Sequence, residues 1–511
     1  MAICFHNSMS RRLEEFVPLV PGEVRMYHCG PTVYSSPHIG NFRTFLLSDL
    51  LRRFFDWKGF KVLQVMNLTD VGHLQNDDTE SGEDKMEVAA RKLKLDVWQL
   101  AQKYTDEFFA ATRFLSFRPA HFYPRATDHV AEMIDIIKVL IAKGHAYVVP
   151  TGNVYFSIAT YKEYGRLSGN TEEELLAGAR IEVNPEKKDP RDFALWKVDP
   201  RHQMQWDSPW GRGFPGWHIE CSAMSRKYLG ETLDIHTGGE DNVFPHHECE
   251  IAQSECSSSH HPFVRYWLHA RHLLVDNKKM AKSTGNFLTV SQLIEKGHSG
   301  DALHLALTRA HYREKLNFTL SGLDEAERKI QRYRDLSAEL DRSRTKSGSA
   351  SSDLAGTCSR ALGEFGAALC DDLNISVALA SLDGLVTDAN RERSRLSGVD
   401  AGMLKNVLAE MWTVLGLQIR GGSSGGLLPK LQASGTGQMI DQGTGEGVLP
   451  GLEASGSGLI DPEICSLIEE RDQARARKDW VAADKIRDRL REQGIEILDT
   501  KDGLRWRRVR K

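Results

Sequence analysis

Nothing in the 511-residue sequence approaches the ~18 consecutive apolar residues of a membrane-spanning helix, so no membrane partner is expected. Neither sign of charge dominates: 66 Lys and Arg stand against 70 Asp and Glu, a formal net charge of −4. A nucleic-acid partner would therefore have to be held by a local basic surface, because the field of the whole molecule does not favour it. Cysteine is sparse and scattered, with eight residues at positions 4, 29, 221, 249, 256, 358, 370 and 465. That spacing excludes a disulfide scaffold and leaves reduced thiols or metal ligands. The opening "MAICFHNSMSRRLEEF" lacks the apolar core of a signal peptide, and Glu14 and Glu15 argue against a transit peptide, so the expected location is cytoplasmic.

What is present is an ordinary globular composition, 41% hydrophobic and 27% charged, in a chain long enough for roughly three domains. Its first third alternates strand and helix patterns. "VRMYHCG" (24–30) reads as a strand, "NFRTFLLSDLLRRFFDWKG" (41–59) as an amphipathic helix stopped at Gly59, and "FKVLQVMNLTD" (60–70) as a strand again. Strand, helix and strand at this spacing predict a parallel βαβ unit, with ligands at the carboxyl ends of the strands. After about Lys315 the pattern becomes helical, over 323–342, 354–373 and 376–417. Residues 421–460 are rich in Gly and Ser and read as a flexible linker or insertion. A faint repeat, "GLLPKLQASGTGQMID" and "GVLPGLEASGSGLID", lies within them. From Asp461 a pair of helices is predicted, followed by a hairpin around Lys501 to Gly503 whose arm carries Arg505, Trp506, Arg507 and Arg508. Arginines around an aromatic suit RNA stacking and phosphate contact, and a solvated basic tail fits the same pattern equally well.

Three short stretches carry chemistry. "PHIGN" (37–41) sits where a strand has ended and a helix begins, a place that offers free N–H groups and a positive dipole end to phosphate. His38 could donate to a phosphate, and Gly40 lets a nucleotide lie close to the backbone. "KKMAKSTGN" (278–286) places Lys279 and Lys282 beside Ser283 and a glycine, which suits a loop that closes over a triphosphate and stabilises a departing pyrophosphate. "FPHHECE" (244–250) packs two histidines, a cysteine and two carboxylates behind a proline. By itself that stretch fits either a metal site or a polar, histidine-rich helix.

"HIGN" followed by "KMAKS" resembles the HIGH and KMSKS signatures of class I aminoacyl-tRNA synthetases. "CGPTVYSSPHIGN", "DFALWK", "PGWHIECSAMS", "FPHHECEIAQSE" and "DWVAADKIRDRLREQGIEILDTKDGLRW" resemble the cysteinyl-tRNA synthetases in particular. The resemblance implies an α/β fold: a Rossmann-like catalytic domain with a parallel sheet over 1–315, and an all-α helical bundle over 316–420. The linker or insertion (421–460) and a small α+β tRNA-binding domain over 461–511 would follow. It implies one zinc ion per chain, held by Cys29, Cys221, His246 and Glu250. His246 and Glu250, four apart, would point from one helical face to one ion, while positions 247 to 249 would be turned away as bystanders or outer support. Zinc favours thiolate over a hydroxyl, so it would select cysteine over serine without a separate editing step. Four protein ligands would close a tetrahedral site, and whether the substrate adds a fifth or displaces one stays open.

The same resemblance implies that Thr69 and Trp217 line the amino-acid pocket with Asp241 beside it, and that His236 borders zinc and adenosine. His38, Asn41, Lys279 and Lys282 would act on the phosphates of Mg·ATP, with Gly40 and Asp241 also at the nucleotide. L-cysteine, ATP and tRNA(Cys) would be the partners of a monomer. Three departures stand out: Asn41 replaces the second His of HIGH, Ala281 the first Ser of KMSKS, and Thr237 a usual Gly. None falls on an implied zinc ligand. A related ligase that joins cysteine to a glucosamine-inositol resembles only the catalytic part, and the C-terminal segments therefore favour tRNA. A catalytically silent RNA-binding paralogue would be expected to lose the loop lysines or the metal ligands, and a zinc-structured scaffold leaves "HIGN" with "KMAKS" unexplained.

Overall fold

The structure is a computed structural model. It describes residues 2–72, 74–76, 81–171, 184–258, 260–280, 285–419, 446–449, 479–492, 495–500 and 503–508. The chain divides into two compact units, 1–423 and 424–511.

The first unit is organised by a four-stranded parallel sheet: β1 (Glu23–His28), β2 (Lys61–Met66), β3 (Leu233–Gly239) and β4 (Val264–Ala270), in the order β4-β3-β1-β2. Both faces of the sheet are buried, as parallel sheets require. Alternate side chains feed two separate cores: Val24, Met26 and Ile235 join one, Tyr27, Val65 and Trp267 the other. The first core holds helix α1 (Ile39–Trp57), the second α2 (Trp217–Leu229) and α3 (Glu248–Ser257). Between β2 and β3 the chain inserts further helices and an antiparallel sheet of Ala146–Val148, Val154–Phe156, Phe193–Lys197 and Phe214–Pro215.

Helix α1 begins at Ile39, two residues before the start expected from its apolar spacing. The reason is a capping box. His38 Nδ1 accepts from the Asn41 backbone N–H at 3.2 Å, while Asn41 Oδ1 accepts from the His38 N–H at 3.1 Å. Four residues on, the buried Arg43 guanidinium donates to the carbonyls of Leu307 (2.9 Å), His311 (2.9 Å), Glu314 (2.7 Å) and Arg271 (3.3 Å). It thereby ties α1 to the chain beyond β4. Replacing Arg43 with Met should leave those carbonyls unmet and lower stability by roughly 3–5 kcal/mol. Urea unfolding would measure this, and a loss below ~1 kcal/mol would show that water replaces the guanidinium at little cost.

The helices α4 (Leu320–Ser343), α5 (Ser352–Cys370), α6 (Ile375–Glu392) and α7 (Gly398–Val414) form the expected bundle. Their apolar faces continue the core that holds α1. Trp57 packs edge-on against Phe365 at 5.8 Å, and Arg53 donates to the Thr413 carbonyl at 3.0 Å. Sequence reading places a boundary near residue 316; the core runs through it without a break.

In the second unit, helix Trp480–Glu492 precedes an antiparallel pair, Ile495–Thr500 with Gly503–Arg508. The hairpin matches the expectation. The helix expected before Trp480, and the hairpin tip at Lys501, lie outside the described residues. Within the Gly/Ser-rich stretch, Glu446–Leu449 pairs with the other edge of Gly503–Arg508. Val448 and Leu449 provide a short apolar run there that composition alone had hidden.

Candidate active site and metal centre

From β1 the chain moves outward to β2 and then returns to the other side of β1 for β3. The carboxyl ends of β1 and β3 therefore flank a topological switch point, where open α/β sheets bind ligands. A cleft of about 450 Å³ opens there. Its wall includes His38, Gly40, Asn41, Thr69, Trp217, Asp241 and Lys279, together with Cys29, Cys221 and His246.

At the α1 end, the Oδ1 of Asn41 is engaged in the capping box, which leaves its amide N–H groups as the donors it can offer a ligand. Gly40 is required by the His38 ring. A Cβ there would lie 2.9 Å from His38 Nδ1 and 3.4 Å from Met280 Cε. Phe287 stands perpendicular to that ring at 5.2 Å, and Asn286 Nδ2 donates to the Lys279 carbonyl at 3.2 Å. The lysine-bearing segment is thus anchored on both sides beside the helix start. Lys282 lies outside the described residues. Asp241 sits at the rim with its side chain largely exposed, 3.2 Å from His272 Nε2.

The second constellation is fully buried. The ligand atoms of Cys29, Cys221, His246 and Glu250 all lie within 4.8 Å of one another and could hold a metal ion. They come from four places: the end of β1, α2, the turn before α3, and α3. His246 Nε2 is 3.0 Å from Glu250 Oε1, yet that oxygen has no aligned hydrogen-bond donor. A buried carboxylate oxygen without a donor, facing two sulfurs and an imidazole nitrogen, fits a cation, and the donor types suit zinc. The far sides of the histidines are held. His246 Nδ1 pairs with His218 Nδ1 at 3.0 Å, and Trp217 packs on the His246 ring at 4.4 Å.

His247 is expected to turn away from the metal ligands, and it does not. The chain kinks at Phe244, whose backbone is extended, and His247 then stands in helical conformation three positions before Glu250, on a neighbouring part of the same face. Its Nε2 lies 3.3 Å from Cys29 Sγ, and its Nδ1 2.8 Å from His269 Nε2. A second overlapping set, Cys29, His236, His247 and Glu250, converges as closely as the first. Glu248 and Cys249 do point elsewhere. Glu248 accepts from the backbone N–H groups of Gly165 and Ser168, and Cys249 meets Tyr164. His236 stands behind Glu250, 3.0 Å from Oε2, and is not in the cleft wall.

Burial disfavours the Glu250 carboxylate, but His236 and His246 outweigh it and hold the group at about 2. Burial likewise opposes charge on His246, while Glu250 and Cys221 raise it to about 10. The Cys221 thiol is raised by its hydrogen bond to Cys29 and by burial. For Cys29, the same bond favours the thiolate, but burial and Glu250 prevail and raise it too. A metal entering this set must therefore displace protons from both thiols and from His246. Zinc affinity should fall steeply as pH drops from 8 to 6, by at least about tenfold per unit. A chelator competition titration would measure this, and an affinity flat with pH would exclude thiolate ligation.

Sequence reading keeps His247 as a bystander or outer support, and it misses His218 and His269 as neighbours of the cluster and Arg271 and His272, which also line the cleft. Of these, only the position of Arg271 and His272 just past a strand end left a signal.

A parallel sheet with its cleft at the switch point, capped by "HIGN" and flanked by a lysine segment, is the catalytic architecture of class I tRNA synthetases. Residues 15–328 match the tRNA synthetases class I (C) catalytic domain, 364–420 the DALR domain, and 458–507 the cysteinyl-tRNA ligase anticodon binding domain. The cysteine–tRNA ligase of Salinibacter ruber is 41% identical over 535 residues, covering 98% of each chain. That of Thermus thermophilus is 41% identical over 512 residues, covering 99% of each. The chain belongs to the cysteine–tRNA ligase family. Among solved structures, methionyl-tRNA synthetase from Mycobacterium tuberculosis with methionyl-adenylate shares the fold at a TM-score of 0.57 and 14% identity, over 77% of this chain and 89% of its own. The Agrobacterium radiobacter LeuRS–tRNA–LeuAMS complex does so at 0.55 and 13%, over 79% and 86%.

Proposed function

We propose that the protein activates L-cysteine with Mg·ATP and transfers it to tRNA(Cys). The observation that carries this is the convergence of Cys29, Cys221, His246 and Glu250 on one point, the first three lining one cleft with His38 and Lys279. In the first step the cysteine carboxylate attacks the α-phosphate in line; a C–O–P bond forms and pyrophosphate leaves. The carboxylate is already ionised, so no general base is needed. His38 and Asn41 at the start of α1, with Lys279, hold the phosphates and stabilise the charge that grows on the leaving group. Lys282 supplies a second cation in the same loop. Thr69, Trp217 and Asp241 line the amino-acid pocket, and His236 holds Glu250 in place. A zinc ion bound by the four ligands supplies a soft Lewis acid for the substrate sulfur, which a serine hydroxyl does not match. In the second step a hydroxyl of the terminal ribose attacks the acyl carbon, AMP leaves, and the helical bundle and C-terminal unit hold the tRNA. A monomer is part of this reading, and two free thiols in the site fit the reducing cytoplasm.

The test is charging of tRNA(Cys) with and without a zinc chelator. Charging with cysteine but not serine, lost on chelation, is the expected result. Cysteine-dependent pyrophosphate exchange without charging would point to a small-molecule ligase. Absence of both reactions would overturn the enzymatic reading.

A further inference from the structure

Beside the metal cluster a directed chain of hydrogen bonds runs inward from the cleft. The Gly30 backbone N–H donates to Asn67 Oδ1 at 2.9 Å, Asn67 Nδ2 donates to Thr69 Oγ1 at 3.0 Å, and Thr69 Oγ1 donates to Glu220 Oε2 at 3.0 Å. The direction is forced at the Gly30 end. A backbone N–H can only donate, so the Asn67 amide must present its oxygen to Gly30 and its nitrogen to Thr69. Thr69 Oγ1 already accepts from Asn67, and its own hydroxyl proton points to Glu220 Oε2. The Thr69 backbone is locked as well: its N–H donates to the Pro31 carbonyl and its carbonyl accepts from Val33, both at 3.0 Å. What Thr69 has left for the cleft is one oxygen lone pair, with a fully buried carboxyl group 3.0 Å behind it.

We infer that Glu220 is a positioning residue that holds Thr69 as an obligate acceptor, so that the cleft selects a ligand bearing an N–H donor there, the α-ammonium of the amino acid. This rests on the proposed activation of cysteine. The buried carboxyl also favours a cation at this place through a medium of low polarity. A thiol acid without the amino group leaves the Thr69 lone pair, itself buried in the cleft wall, without a donor, which is where discrimination by hydrogen bonding is strong.

The test uses the zinc-loaded, full-length enzyme in cysteine-dependent pyrophosphate exchange, with mercaptopropionate, which is cysteine lacking its amino group, as competitor. Glu220→Gln lets the residue at 220 donate to Thr69 and turns the hydroxyl proton loose. The KM for cysteine should rise roughly 10- to 100-fold, with kcat falling less than about threefold, zinc content unchanged, and inhibition by mercaptopropionate unchanged or improved. Thr69→Val, which keeps the shape and removes the oxygen, should reproduce that split, and the double variant should add nothing further. An unchanged cysteine KM, equal weakening of both thiols, or additive effects would overturn the inference. If Glu220→Gln does not fold, Thr69→Val decides by the same comparison. A parent enzyme that never activates cysteine would instead remove the functional reading on which the test stands.

Discussion

Cys221→Ser should give a folded protein with at least about 100-fold weaker zinc binding and a cysteine-dependent pyrophosphate exchange reduced to a similar or greater degree. The substitution is nearly isosteric in a fully buried position on α2, so packing changes little. The chemistry changes a great deal. Serine keeps its proton at any neutral pH and offers a hard, neutral oxygen, whereas zinc sites draw on thiolate. Glu250 and His246 would be left facing a set with one soft donor, Cys29, and with no ion present the buried Oε1 of Glu250, which has no aligned donor, would carry the cost of burial. Metal analysis of the purified variant and the exchange assay read the two effects separately. Unchanged zinc content together with unchanged exchange would remove Cys221 from the site. Lost zinc with full activity would leave the metal a structural part and free the sulfur of the substrate from it.

The second large effect is expected at His38. Its Nδ1 caps α1, and its ring lines the cleft between Gly40 and Phe287. His38→Ala removes both functions. Adenylate formation should fall by about 10²–10³, the loss seen when one preorganised donor to a developing charge is deleted. Stability should also fall by about 0.5–2 kcal/mol from the lost cap. His38→Asn separates the two, because asparagine is a strong N-cap with a shorter reach. Thermal unfolding should recover while kcat stays low. If activity returns in step with stability, the ring serves only to start the helix.

The departure at Asn41 becomes intelligible in the same frame. A side-chain oxygen at this position closes the capping box and starts the helix two residues earlier than its apolar spacing indicates. Rotation of "HIGN" into that geometry follows from local chemistry, since the two residues concerned are three apart.

Much of the architecture follows from such short-range rules. The strand–helix–strand alternation over 24–70, the helical bundle after Lys315 and the terminal hairpin are all readable from periodicity and turn residues. The pair His246 and Glu250 is readable too, four apart on one winding of the chain. Tertiary structure alone decided three things. The meeting of His247 with Cys29 joins positions 218 apart, which no helical wheel of the heptapeptide discloses. The bundle and the sheet share a core because α1 has apolar residues on enough of its surface to serve both, which no pattern within either segment discloses. Lastly, the chain Gly30–Asn67–Thr69–Glu220 joins β1, β2 and α2 across up to 190 positions (220 minus 30). Sequence periodicity reports which face of an element is buried; which donor meets which acceptor depends on distances of about 3 Å between elements far apart in the chain, and those exist only once the core has packed.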